Sequence, residues 1–208
     1  MRPNVLALMD HYLPGNRAGG PVRSVQHLVR HLGGDFRFRI VTRDHDACDP
    51  APYHGVVPGR WTAVDGAEVM YLDAARLNPA GLRRVLRAAE YDVLYLNSLF
   101  SPQMALAPLV LRRMGALPPR PVVLAPRGEL HPGALATGGW KGVLPGPLAR
   151  RVDSPRQLKK RAYLAAARAA GLFEGVLWQA SSPEEAGHIV RAVGRGARVT
   201  VAPDLAAG

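Results

Sequence analysis

Gly19-Gly20 stands directly before Pro21 and is flanked by Arg17 and Arg23. Two residues without side chains at the start of a helix leave backbone N–H groups open. Together with the helix dipole, such groups attract phosphate. The same pair also serves an ordinary turn. The spacing is not G-x-G-x-x-G, and the run from Asp10 to Gly20 is longer than the tight turn of that fingerprint, which argues against an NAD site. Four further polar clusters, Arg43-Asp44, Asn97-Ser98, Arg127-Gly128-Glu129 and Ser181-Ser182, each follow a short apolar run. Polar groups at strand ends meet solvent in any protein, but an Arg and a Glu together after an apolar strand suit a ligand crevice. His27 and His31 are four apart and lie off the Val22/Val25/Val29 stripe. No carboxylate set accompanies them, so they read as solvated histidines rather than a metal pair. Ser98 and Ser181 sit in no G-x-S-x-G elbow.

The elements that would position these clusters alternate regularly. Val5 to Met9 is a short apolar run of the buried-strand kind. Pro21 suits a first helical position, and Val22, Val25, Val29 and Leu32 recur at helical spacing up to Gly33-Gly34. Phe36, Phe38 and Ile40 alternate in a second strand. Residues 45–66 read as a long loop rich in Pro, Gly, Asp and His. Strands are expected at Val69 to Leu72, Val93 to Leu96, Val122 to Ala125, Val176 to Trp178 and Val199 to Ala202. Helices are expected over 77–89, 102–114, 157–170 and 183–193, the last with Ser182 as N-cap and Glu184 and Glu185 in its first turn. This alternation predicts one α/β domain over 1–208, a Rossmann-like, doubly wound parallel sheet of about seven strands in the order 3-2-1-4-5-6-7. Residues 133–156 form a Gly/Pro-rich insertion, and 136–156 are expected to be the least ordered part.

Composition narrows the partners. The net charge is +11, carried by 24 Arg and 3 Lys. Such an excess favours anions, including phosphate esters and acidic lipid surfaces. No zinc-finger spacing, RNP-like aromatic run or lysine-rich tail accompanies it, so nucleic acid is not an expected partner. Trp140, Lys141, Leu144, Leu148, Arg150 and Arg151, with Lys159-Lys160-Arg161, mix apolar and basic groups as a membrane-surface contact does; a solvated loop has the same composition. The one cysteine, Cys48, permits no intrachain disulfide or cysteine-rich zinc site. No apolar run is long enough for a transmembrane helix, and Val5 to Met9 is too short for a signal peptide. The expected location is cytoplasmic, with peripheral contact at the inner membrane face.

Several blocks, taken in order, resemble the N-terminal, acceptor-binding domain of retaining GT-B glycosyltransferases of family 4. They are Tyr12-Leu13-Pro14-Gly15 through Ala18-Gly19-Gly20-Pro21-Val22-Arg23-Ser24-Val25, then Val41-Thr42-Arg43-Asp44, Tyr95-Leu96-Asn97-Ser98, Ala125-Pro126-Arg127-Gly128-Glu129-Leu130, Gly133-Ala134-Leu135, and Ala180-Ser181-Ser182 with Glu185. The resemblance covers nearly the whole chain. It implies one half of a GT-B fold and transfer of a sugar from a nucleotide-sugar to a glycan or glycolipid acceptor, with no further cofactor or metal. The implied phosphate- and acceptor-binding residues are Gly19, Gly20, Arg23, Asn97, Ser98 and Ser182, and the implied catalytic residues are Arg127 and Glu129.

Many members carry His-Gly where Arg127-Gly128 stands. Arginine offers fixed donors and cannot act as a base, so Arg127 would contact the acceptor or a donor phosphate. Glu129 would either orient Arg127 or be its structural ion-pair partner. The family's second domain, with its nucleotide-binding residues, would follow Val199 to Leu205 and is expected to be absent from these 208 residues. This half alone is therefore expected to be inactive, with the second domain supplied by a separate polypeptide if the enzyme is split. The alternative is a non-catalytic α/β binding module. An oxidoreductase fragment is disfavoured by the first loop.

Overall fold

The computed structural model describes residues 2–136 and 155–205. The expectation for residues 136–156 therefore falls almost wholly outside the described residues. Eight strands form one sheet: β1 (Asn4–Leu8), β2 (Arg37–Arg43), β3 (Trp61–Val64), β4 (Ala67–Leu72), β5 (Val93–Leu96), β6 (Val122–Leu124), β7 (Val176–Ala180) and β8 (Arg198–Val201). Their order is β3-β4-β2-β1-β5-β6-β7-β8, and every pairing except β3 with β4 is parallel. The fold is thus the expected Rossmann-like, doubly wound α/β sheet, and the seven expected strands take the expected order.

The eighth strand corrects the reading of residues 45–66 as loop throughout. Trp61–Val64 pairs antiparallel with β4, with Val64 opposite Ala67. The two residues between them are Asp65 (φ 46°) and Gly66 (φ 86°). Positive φ at both positions is the requirement of a two-residue hairpin turn whose twist matches that of the strands. The result is an edge strand in which none of the four residues is fully buried.

The helices are α1 (Gly20–Leu32), α2 (Pro79–Ala88), α3 (Ala107–Arg113), α4 (Pro132–Ala136), α5 (Pro155–Ala169) and α6 (Pro183–Val193). Their starts follow from local chemistry. Asn78 accepts from the Gly81 N–H, and Ser182 accepts from the Glu185 N–H. Each is an N-cap with proline after it, where the missing N–H costs nothing. The expected helix over 102–114 begins as a π-helical turn, Pro102–Leu106, capped by Ser101 through the Met104 N–H, before α3 continues it.

Two apolar layers cover the sheet. Val22, Val25 and Val29 of α1 pack with Ile40, Val69, Tyr71 and Tyr95 on one face. Leu82, Leu86, Leu109, Leu164 and Ile189 pack with Leu6, Leu94, Leu124 and Trp178 on the other. Strand alternation assigns the faces: Leu94 and Leu96 point to the second layer and Tyr95 to the first. The switch point of the sheet lies between β1 and β5, because the chain winds one way through β2 and the other way through β6. Ligands of such sheets bind at that point, outside the carboxyl ends of the strands.

Candidate functional site

The end of β6 is the most constrained part of that crevice. Arg127 adopts φ 53° and Gly128 φ 77°. A left-handed backbone at a non-glycine residue costs of order 1–3 kcal/mol and persists where surrounding bonds enforce it. Those bonds are present. Arg127 Nε and a terminal nitrogen donate to Asn97 Oδ1 at 3.3 and 3.0 Å. That terminal nitrogen also donates to the Tyr95 hydroxyl at 2.7 Å. The Tyr95 hydroxyl in turn donates to Gln179 Oε1 at 2.6 Å, and Gln179 Nε2 donates to the Ala202 carbonyl at 3.2 Å. Burial pushes the Tyr95 hydroxyl above its ordinary value, partly opposed by Arg127. It therefore stays protonated and can donate.

This network consumes one edge of the Arg127 guanidinium and leaves the other terminal nitrogen for an acceptor. In the structure that acceptor is the Asp204 carboxylate. The other oxygen of Asp204 accepts from Ser24 Oγ at 3.0 Å. Ser24 lies four residues into α1 from Gly20, so the carboxylate bridges the end of β6 and the first helix. The Arg127 side chain is 9% exposed and Asp204 is 41% exposed. Asn97 is buried, and its Nδ2 has no hydrogen-bond partner among the described residues. Because Arg127 fixes which amide atom is the oxygen, that unused group is a donor.

The other expected site residues fall in distinct places. Gly19 (φ 67°) and Gly20 open α1, and a Cβ built on either meets nothing within 4 Å. The helix has no side-chain cap there. Arg23 is exposed on the same first turn. Arg17 instead reaches Asp49 at 3.2 Å, and Asp46 accepts the backbone N–H groups of Asn16 and Arg17 at 3.0 and 3.2 Å. The loop before α1 is thereby fixed to the loop after β2. Arg43 pairs with Asp10 at 3.1 Å and donates to Gln103.

Glu129 does neither of the two things expected of it. Its carboxylate accepts from Ser98 Oγ at 2.9 Å and from the Leu99 N–H at 2.5 Å. The partner of Arg127 is Asp204 instead. Glu129 clamps the loop after β5 to the loop after β6, and burial pushes its pKa up against the opposing pull of those bonds. Ser98 belongs to the same clamp. Ser182 caps α6. Glu185, 6% exposed, accepts from the Gly128 N–H at 2.6 Å and from the Ser181 N–H and Oγ at 2.7 Å each. It holds the strained Arg127-Gly128 corner from behind.

Sequence reasoning missed Tyr95, Gln179, Ser24 and Asp204 as members of the cluster. A signal existed for the first two. Tyr95 in β5 and Asn97 just past its end are two apart, the spacing of one strand face, and Gln179 is a polar residue inside an apolar strand. His27 is not simply solvated: its Nδ1 lies 2.8 Å from the Leu205 carbonyl, beside Asp204. Among the described residues no group of three or more His, Cys, Asp or Glu is arranged to hold a metal ion. None of the described helices is long and apolar enough to cross a membrane.

Known structures share this fold. Sucrose-phosphate synthase from Thermosynechococcus elongatus superposes with a TM-score of 0.56 at 14% identity, over 97% of this chain and 48% of that one. The Anabaena protein HepE, solved in complex with UDP and glucose, superposes with a TM-score of 0.51 at 15% identity, over 98% of this chain and 44% of that one. The chain thus spans about half the length of these structures. At this identity the likeness establishes the fold alone. No protein-family description matches the sequence, and no curated protein matches it.

Proposed function

We propose that residues 1–208 form the N-terminal, acceptor-side domain of a retaining family 4 GT-B glycosyltransferase, which moves a sugar from a nucleotide-sugar to a glycan or glycolipid acceptor. The observation that carries this reading is the Arg127 guanidinium, locked by Asn97 and Tyr95 and meeting a carboxylate at the switch-point crevice, opposite the first helix. A fixed, always-charged donor in a water-poor corner stabilises developing negative charge without reorganising. Arg127 cannot take a proton, so its role is to bind and orient an anionic group of acceptor or donor. Gly19 and Gly20 leave the start of α1 open to close approach. The complex of the Anabaena neighbour with UDP and glucose supplies the ligand chemistry that the complete enzyme requires.

One wall of a cleft neither encloses the donor nor excludes water. The second domain, on the same or a separate polypeptide, completes the enzyme, and residues 1–208 alone are inactive. The reaction needs no cofactor or metal in this account. The enzyme works in the cytoplasm, with its basic surface towards the inner membrane face. A second reading, a non-catalytic binding module, is favoured by one fact: Glu129 and Glu185 are both spent on backbone and serine contacts rather than offered to a substrate.

The test is turnover of a panel of UDP- and GDP-sugars by residues 1–208 alone and joined to a donor-binding domain. Transfer is expected only in the joined form, and R127A should lower it roughly 100-fold or more, as removal of one preorganised donor does. Robust turnover by 1–208 alone, or full activity of joined R127A, would contradict the proposal.

A further inference from the structure

The position of Asp204 adds a ligand class and a mode of control to this site. We infer that the Arg127 corner is an oxyanion site and that Asp204 is its internal occupant, which an anionic group of the incoming ligand must displace. The inference rests on the proposed function for the location of the site, but not for the chemistry of transfer.

Three observations carry it. First, the corner is built for one small anion. Arg127 has two of its three nitrogens committed to Asn97 and Tyr95, and the third points at Asp204. A tyrosine ring lies 6.0 Å from the guanidinium carbon. Arg127 therefore cannot swing away to follow Asp204; the carboxylate has come to the arginine. Second, the carboxylate bridges two elements, because Ser24 Oγ donates to its other oxygen at 3.0 Å. A planar or tetrahedral oxyanion with oxygens about 2.2–2.5 Å apart makes the same bridge, by ordinary hydrogen-bond geometry. Third, the buried Asn97 Nδ2 is a donor without a partner beside Arg127. Asp204 leaves that donor unused, and a ligand with three oxygens in place of two has one to offer it. Buried polar groups are normally satisfied, so an unpaired one next to a fixed cation points to a missing acceptor.

The tether explains why Asp204 competes. The segment leaves β8 through the Ala202 N–H to the Ala180 carbonyl at 2.8 Å. It then passes Arg127 and reaches α1 through the Leu205 carbonyl and His27. A carboxylate on so short a tether acts at an effective concentration in the millimolar range or above. Weak external anions then bind less tightly than the corner alone would allow. A phosphate ester and the carboxylate of an acidic sugar share the charge and the two-oxygen bridge, and of the two only the phosphate brings a third oxygen for Asn97 Nδ2.

The experiment uses residues 1–208 at constant ionic strength. Isothermal titration with inorganic phosphate is run on wild type, D204N, R127A, the R127A/D204N double variant, and D65N. Asp65 is a carboxylate paired with Gln26 and Arg30, away from the corner, and controls for net charge. D204N is expected to tighten phosphate roughly tenfold, about the worth of one charge-assisted bond. The gain should vanish in the double variant, and D65N should stay within twofold of wild type. Equal affinities for D204N and wild type, a gain that survives loss of Arg127, or an equal gain in D65N would each overturn the inference. Methyl glucuronide and methyl glucoside, titrated into D204N, separate the sources. Binding of phosphate and not glucuronide assigns a phosphate ester; comparable binding of both extends the site to an acidic sugar, and no binding of phosphate would overturn the inference. Equal binding of the neutral glucoside would overturn the oxyanion assignment. If phosphate behaves as expected but the joined enzyme transfers no sugar, the proposed function fails and this inference stands.

Discussion

Glu185→Ala tests whether the Arg127 corner is held from behind. The carboxylate takes three hydrogen bonds: from the Gly128 N–H at 2.6 Å and from the Ser181 N–H and Oγ at 2.7 Å each. Truncation leaves two backbone N–H groups without a partner. The Ser181 hydroxyl can turn to another acceptor, so it adds little. An unsatisfied buried donor costs about 1–3 kcal/mol. Both loops are only partly buried, and water recovers some of that, so we expect a loss of about 2–4 kcal/mol. For a domain of this size each kcal/mol lowers Tm by roughly 2–4 °C. Urea titration followed by tryptophan fluorescence, with Trp178 fully buried in the core, reads the change as a shift in midpoint at constant slope. E185Q keeps one acceptor and should fall between the two. The site should respond as well, because Gly128 follows Arg127 directly. Phosphate affinity of folded E185A should drop with R127A-like character even at temperatures well below its Tm. A stability change under about 0.5 kcal/mol, or full phosphate affinity in E185A, would refute the idea that this carboxylate enforces the corner.

Other expectations concern the loop before α1. The Asp46 pKa lies below the ordinary carboxylate value: burial is the largest single influence and pulls it up, and the N–H bonds from Ala47, Arg17 and Asn16, with His11 nearby, together outweigh that pull. A carboxyl with a depressed folded value stabilises the fold fully above its unfolded value, about 3.9, and that share is lost as pH falls through the depressed folded value. The Asn16 and Arg17 amide resonances should therefore shift with a midpoint below that of a free Asp, and D46N should remove the titration; a midpoint at or above the free value would contradict this. Gly15→Ala should destabilise by about 1–3 kcal/mol through overpacking, since a Cβ there runs into Tyr53 Oη and meets Asp46 at 2.8 Å. A neutral G15A in thermal unfolding would show that the loop yields freely.

The sheet was legible because its strands are apolar on both faces. Runs such as Val93 to Leu96 and Val122 to Leu124 admit little else between turn signals, and the order follows once each βαβ crossover is right-handed. The edge strand was hidden for the opposite reason. Trp61–Val64 buries little, so it lacks both an apolar run and a clean alternation. Its signal was the Asp65-Gly66 pair, a turn chemistry with a backbone reason behind it. At the site, Arg127 and Asn97 were legible as polar residues at strand ends. The partners of Arg127 were not. Asp204 comes from 77 residues further along the chain, and no local pattern encodes such a contact. Proximity in sequence was misleading for Glu129: two residues from Arg127, it points to Ser98 and Leu99, because the left-handed Arg127-Gly128 corner turns the chain between them.

The central claim is that the ligand of this domain meets Arg127, Asn97 and the first turn of α1 together. Backbone chemical-shift mapping with inorganic phosphate on isotope-labelled residues 1–208, in wild type and R127A, tests it most directly. The account predicts shifts concentrated at Gly19 to Ser24, Asn97, Arg127-Gly128 and Asp204, all lost in R127A. Shifts confined to the groove lined by Leu130, Leu135, Leu164 and His188, or a pattern unchanged by R127A, would contradict it.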